Sequence, residues 1–179
     1  MITIMFTGDT SAKQISFSAK GLNLLHMGSK ASTDIESDLI DIDTSTTEGF
    51  MEYLSIMDSP AHEGYEYKKL ISKDYVFKGM EKVPFDLLLA ISPKDGVKAI
   101  KINFKTSNHQ SIKDILTNVY GKHNTEVSTE YSTEINDVSY QSLYWSYSDF
   151  EIRFSGSEVN IFYPLPKEHI EKLLRQPID

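Results

Sequence analysis

The chain has 179 residues, 40% of them hydrophobic and 25% charged, with 26 acidic against 18 basic side chains and a formal charge of -8. That is the composition of an ordered globular chain long enough to bury a core without staples, and it excludes intrinsic disorder. The lack of cysteine excludes disulfide frameworks, thiolate metal sites and cysteine nucleophiles, while the acidic balance argues against nucleic acid or an anionic membrane as the main partner.

In chain order, Met1 to Phe6 lacks the basic region and long apolar core of a secretory signal, and no later apolar run approaches the ~18 residues that span a bilayer. The expected location is the cytoplasm, with the periplasm open if a leader has been removed. Thr3 to Phe6 and Gln14 to Ser18 read as strands joined through Gly8-Asp9. Asp38 to Asp43 alternates weakly around Leu39. Glu48 to Met57 reads as a helix capped by Thr47, with Phe50, Met51, Leu54 and Met57 on one side. Tyr65 to Ile71 and Tyr75 to Phe77 read as a further pair of strands.

The second half has a clearer period. Phe85, Leu87, Leu89 and Ile91 alternate, Ser92-Pro93-Lys94-Asp95-Gly96 supplies turn residues, and Val97 to Lys105 resumes alternation, which together make a β-hairpin. Ser111 opens a helix with Asp114 as its capping-box partner, Ile112, Ile115, Leu116, Val119 and Tyr120 form its stripe, and Gly121 ends it. Lys122 to Ser139 is polar and without sustained period, and reads mostly as loop, with room for a short strand around Val127 or Ile135. Gln141 to Tyr147, Phe150 to Ser155 and Glu158 to Tyr163 form a meander, and Lys167 to Arg175 a last helix carrying Ile170, Leu173 and Leu174.

The expected class is therefore α+β: a mainly antiparallel sheet with helices packed on one face, its C-terminal half ordered β-β-α-β-β-β-α. No linker rich in Pro, Gly or Ser divides the chain, so 1–179 is expected as one domain, or as two packed lobes, 1–82 and 83–179.

Charge is segregated along the chain. Ala31 to Tyr67 holds ten acids and no Lys or Arg, Lys68 to Lys122 holds eleven Lys against five acids, and His123 to Ile152 holds six acids and no Lys or Arg. The second acidic tract also carries Tyr and Trp among Ser and Asp, residues that give large contact area at small entropic cost. The candidate partner-binding residues are Tyr131, Glu134, Asp137, Tyr140, Tyr144, Trp145, Tyr147 and Asp149, set against the alternative that Tyr144 or Trp145 packs on the sheet.

Motifs of chemistry are weak. Asp41, Asp43, Ser45, Thr47 and Glu52 fall at calcium-loop spacing, but Thr46 stands where the turn needs Gly and Glu48 where an apolar residue packs. Asp41, Asp43, Ser45 and Glu52 are kept as metal candidates. The histidines, His26, His62, His109, His123 and His169, are too scattered to form a helical pair. Gly8 to Lys13 and Gly28-Ser29-Lys30 lack phosphate-loop spacing and read as turns, and Phe154 to Ser157 lacks the second Gly of a nucleophile elbow.

No cofactor is expected, and an enzyme is the less favoured reading. The leading expectation is a small acidic protein-binding module that docks another protein with a basic surface, as inhibitors and toxin-neutralising immunity proteins do, with the two acidic tracts adjoining in space. One alternative is a small-ligand binder or hydrolytic enzyme with a site between the lobes, lined by converging His and carboxylates. Another is a subunit of a larger assembly, with Leu88, Phe162 and the sheet's second face covered by another chain. Oligomeric state stays open, and the residue usage has a bacterial or phage character.

Overall fold

The computed structural model describes residues 12–56, 64–71, 73–132, 137–147 and 150–163. The elements run β1 (Lys13–Ile15), β2 (Phe17–Ser18), β3 (Gly21–Leu22), α1 (Thr33–Glu36), β4 (Leu39–Asp41), α2 (Thr47–Ile56), β5 (Glu66–Leu70), β6 (Tyr75–Phe77), β7 (Phe85–Ser92), β8 (Gly96–Phe104), α3 (His109–Tyr120), β9 (Thr125–Ser132), β10 (Asp137–Ser146), β11 (Glu151–Ser155) and β12 (Glu158–Phe162). Eight strands form one antiparallel sheet in the order β4-β5-β7-β8-β12-β11-β10-β9, which is the expected α+β class. The sheet draws strands from both sides of residue 82.

Alternation decides which face each strand buries. Leu87 and Leu89 stand opposite Ile102 and Ile100, and with Val159, Ile161, Ile152, Phe154, Leu143 and Trp145 they build the larger core. α3 lays Ile112 and Leu116, both fully buried, onto this face. Burying each such side chain stabilises by about 1.5–3 kcal/mol relative to leaving it exposed. The N-terminal segments cap the same core with Ile15, Phe17, Leu22 and Ile35.

The other face is covered by the chain's own α2. Ile56 packs with Ile42, Leu88, Ala90 and Ala99, and Tyr53, Tyr67 and Phe162 close over them. The helices thus divide between the two faces rather than sharing one. Leu88, 8% exposed, already has its cover, which removes the reason for placing a second chain on it.

Several local expectations change. α3 begins two residues before Ser111, because Asn108 is the cap and its side chain accepts the Ser111 amide at 3.3 Å. Likewise Thr46, not Thr47, receives the Gly49 amide at the start of α2. α2 buries Gly49 and Ile56 and leaves Phe50, Met51 and Leu54 exposed, so its packed side is not the stripe read from the sequence.

β5 does not pair with β6. β5 lies between β4 and β7, whereas β6 pairs in parallel with β1 and delivers Phe77 into a cluster with Phe17, Phe85 and Phe104, at ring separations of 4.7, 5.7 and 5.0 Å. Burial of that aromatic group outweighs a local hairpin. The largest change is at 122–139, expected mostly as loop, where β9 and the first half of β10 form a ladder. The expected strand Thr3–Phe6 and helix Lys167–Arg175 lie outside the described residues.

Candidate functional site

The β9–β10 hairpin has a rooted half and a projecting half. Ser142 to Ser146 of β10 pair with β11 on one side and, through Tyr144, with β9 on the other. Among the described residues, Asp137 to Gln141 pair only with Ser128 to Ser132 of β9, because β11 ends at Ser155 opposite Ser142. Five residue pairs therefore run past the β11–β12 turn as a two-stranded arm. At about 3.4 Å per residue the arm reaches roughly 17 Å.

The root is anchored in the core. Leu143 and Trp145 are buried, and the Trp145 indole Nε1–H donates to the Gly121 carbonyl at 2.8 Å. Asn124 donates its amide to the Tyr144 carbonyl at 2.8 Å and accepts the Ser146 amide through Oδ1 at 2.7 Å. The Gln141 side chain donates to the Glu126 carboxylate across the ladder. A ribbon with no third strand has little apolar area of its own to bury, so this fixed root is what holds the arm.

The residues expected to meet a partner are split by this geometry. Tyr131, Asp137 and Tyr140 lie on the arm, where the register sets Asp137 against Ser132, Val138 against Tyr131 and Tyr140 against Thr129. Tyr144, half-buried, sits at the root between Thr125 and Arg153. Trp145 is 1% exposed and belongs to the core, since alternation from Leu143 turns it inward. Tyr147 is 42% exposed, stacks 5.2 Å from Phe150, and donates its hydroxyl to the Tyr120 carbonyl at 3.1 Å, and partial burial pushes its phenol pKa up. Glu134 and Asp149 lie outside the described residues.

Sequence reasoning allowed only a short strand around Val127 where β9 runs over eight residues. Thr125, Val127, Thr129 and Tyr131 are strand-forming residues at every second position, a signal masked by the Glu and Ser between them. β9 is the last strand in the sheet order, and among the described residues nothing pairs with its outer edge.

The two acidic tracts do not adjoin. The first supplies β4 and α2 at one margin of the sheet and the second supplies β9 and β10 at the other, roughly 30 Å apart across eight strands. Lysines meet the first tract, Lys13 with Asp38 at 2.9 Å, Lys68 with Asp41 at 2.7 Å and Lys69 with Glu52 at 2.9 Å. In the second tract His123 Nε2 lies 3.4 Å from the Glu126 carboxylate.

The metal candidates are drawn apart by the same lysines. Asp41 is held by Lys68 and both oxygens of Glu52 by Lys69, while Asp43 turns back to accept the Ser45 amide and hydroxyl at 3.0 and 2.6 Å. Those bonds favour the ionised carboxylate and lower the Asp43 pKa. Among the described residues no three His, Asp or Glu side chains gather to hold an ion. A hollow of about 240 Å³ beside α2, lined in part by Glu52, Asp86, Lys101 and Glu158, contains no His. Its carboxylates are paired with lysines, Glu158 with Lys101 at 2.8 Å and Asp86 with Lys105 at 2.5 Å, which is a structural ion-pair arrangement.

Comparison with known protein families, curated proteins and solved structures finds no match.

Proposed function

We propose that the protein is a binding module that holds a basic partner protein on the β9–β10 arm. The observation that carries this reading is the arm itself, which runs past β11 within a stretch of six acids and no Lys or Arg, whereas Lys13, Lys68 and Lys69 pair with Asp38, Asp41 and Glu52 of the first tract. Acidic charge steers encounter with a basic surface, and the outer edge of β9, unpaired among the described residues, then offers main-chain donors and acceptors to an added strand.

The edge is also selective. Natural sheets blunt exposed edges with charge, and here the charges are Glu126 and Glu130. A second β9 laid antiparallel in a register that opposes these two carboxylates is repelled, whereas a strand carrying Lys or Arg at alternate positions is attracted. An inhibitor that covers a basic active surface, as toxin-neutralising immunity proteins do, is the specific form this reading takes.

The test is co-purification from the native host with the wild-type chain, a Glu126→Lys/Glu130→Lys variant and a Glu36→Lys/Glu48→Lys control. The expected result is a basic protein retained by wild type and control and lost from the arm variant. Equal retention by all three, or retention lost only in the control, would contradict the proposal.

A further inference from the structure

At the end of the strands opposite the arm, where the segment after β3 meets the β7–β8 turn, the chain builds a concavity of the opposite charge. Lys30, Lys94 and Lys98, with Asp95, Tyr163 and the backbone of Gly28 and Gly96, line an open hollow of about 590 Å³. The Gly28-Ser29-Lys30 turn, which has no phosphate-loop spacing, forms one wall of it.

The floor of the hollow is rigid. The Gly28 amide donates to the Val97 carbonyl at 2.8 Å, and the Val97 amide to the Ser29 carbonyl at 2.9 Å. Gly28 and Gly96 have φ of 72° and 80°, a region that favours glycine. A Cβ on Gly96 would stand 2.2 Å from the Ser29 carbonyl oxygen, and one on Gly28 would stand 2.4 Å from the Tyr163 hydroxyl.

Lys98 is the most enclosed of the lysines, with a side chain 21% exposed, and its ammonium lies 4.6 Å from the centre of the Tyr163 ring and 3.8 Å from Asp95. Among the described residues neither Lys30 nor Lys94 has a carboxylate within ion-pair distance. Among the described residues, three ammonium groups face one carboxylate here, in a chain of net charge -8.

We propose that this hollow binds a small phosphate-bearing molecule. The excess of ammonium groups matches a dianion better than a single carboxylate, and lysine acts on phosphate as a mobile point charge. Lys98, held against Tyr163, is the pre-positioned member, and the two glycines let Ser29 and Tyr163 close tightly on the wall that carries Lys30. The hollow is larger than one phosphate and within the size range of small-molecule sites, so the phosphate is carried on a small organic body. This site is independent of the partner-docking arm.

The test is calorimetric titration of the full chain with inorganic pyrophosphate at constant ionic strength, alongside amide chemical shifts. Wild type is expected to bind saturably in the millimolar range or tighter, with shifts at Gly28 and Gly96. A Lys30→Gln/Lys94→Gln variant, altered at two exposed positions, is expected to bind about tenfold more weakly or less, and Lys113→Gln on α3 to bind as wild type. Absence of saturable binding, or equal affinity in all three proteins, would overturn the proposal.

Discussion

Tyr120, at the last turn of α3, joins the helix to the N-terminal segments: its hydroxyl points at the Ser18 and Gly21 carbonyls, at 2.7 and 3.0 Å. Burial, with the Tyr147 phenol nearby, raises its pKa well above the usual tyrosine range. The unfolded chain releases this proton near pH 10 while the folded chain retains it, so the contribution of Tyr120 is intact below about pH 10 and is lost as pH rises above it. Urea denaturation of wild type and Tyr120→Phe across neutral and alkaline pH should show the wild type losing stability faster above that pH. At neutral pH the variant should be about 1 kcal/mol less stable through the lost hydrogen bond. Parallel alkaline slopes in the two proteins would refute the assignment.

Among the elements, α2 shows most directly how close approach overrides propensity. Gly49 lies in its first turn, where Ala is intrinsically the better helix former by about 1 kcal/mol. A Cβ there, however, would stand 2.0 Å from the Asp43 carbonyl oxygen, because the segment leading into the helix folds against it. Gly49→Ala is therefore expected to destabilise by about 1–3 kcal/mol, the usual range for overpacking. A melting temperature equal to or above that of wild type would contradict this.

The elements also mark where sequence reading succeeds and where it stops. The β7–β8 hairpin, α3 and the β11–β12 turn were legible because each has one apolar face, and Leu87, Leu89, Ile112 and Ile161 announce it. β9 and the outer half of β10 were not, because an arm with no third strand needs no apolar face. The parallel pairing of β1 with β6 was hidden for another reason: it joins segments about sixty residues apart around Phe77, and nothing local signals it. At the candidate site, acidity and tyrosine content were visible in the sequence. The inward turn of Trp145 and the compensation of Asp41 and Glu52 by Lys68 and Lys69 needed the sheet order.

Over the whole molecule, charge that is segregated along the chain is partly mixed in space, because lysines of the basic window pair with acids of the first tract. The sheet carries a lysine-compensated acidic margin at β4, an acidic arm at β9 and β10, and a basic hollow at the opposite strand ends. If acidic charge steers the partner to the arm, association should slow markedly as salt is raised from low to physiological ionic strength, where the screening length is about 8 Å. The most direct test of the arm as a docking surface is amide hydrogen exchange on the full chain, alone and saturated with the basic protein that co-purifies with it. Slower exchange at Thr125 to Ser132 on binding is the predicted result, and protection confined to β4 and α2, with β9 unchanged, would contradict it.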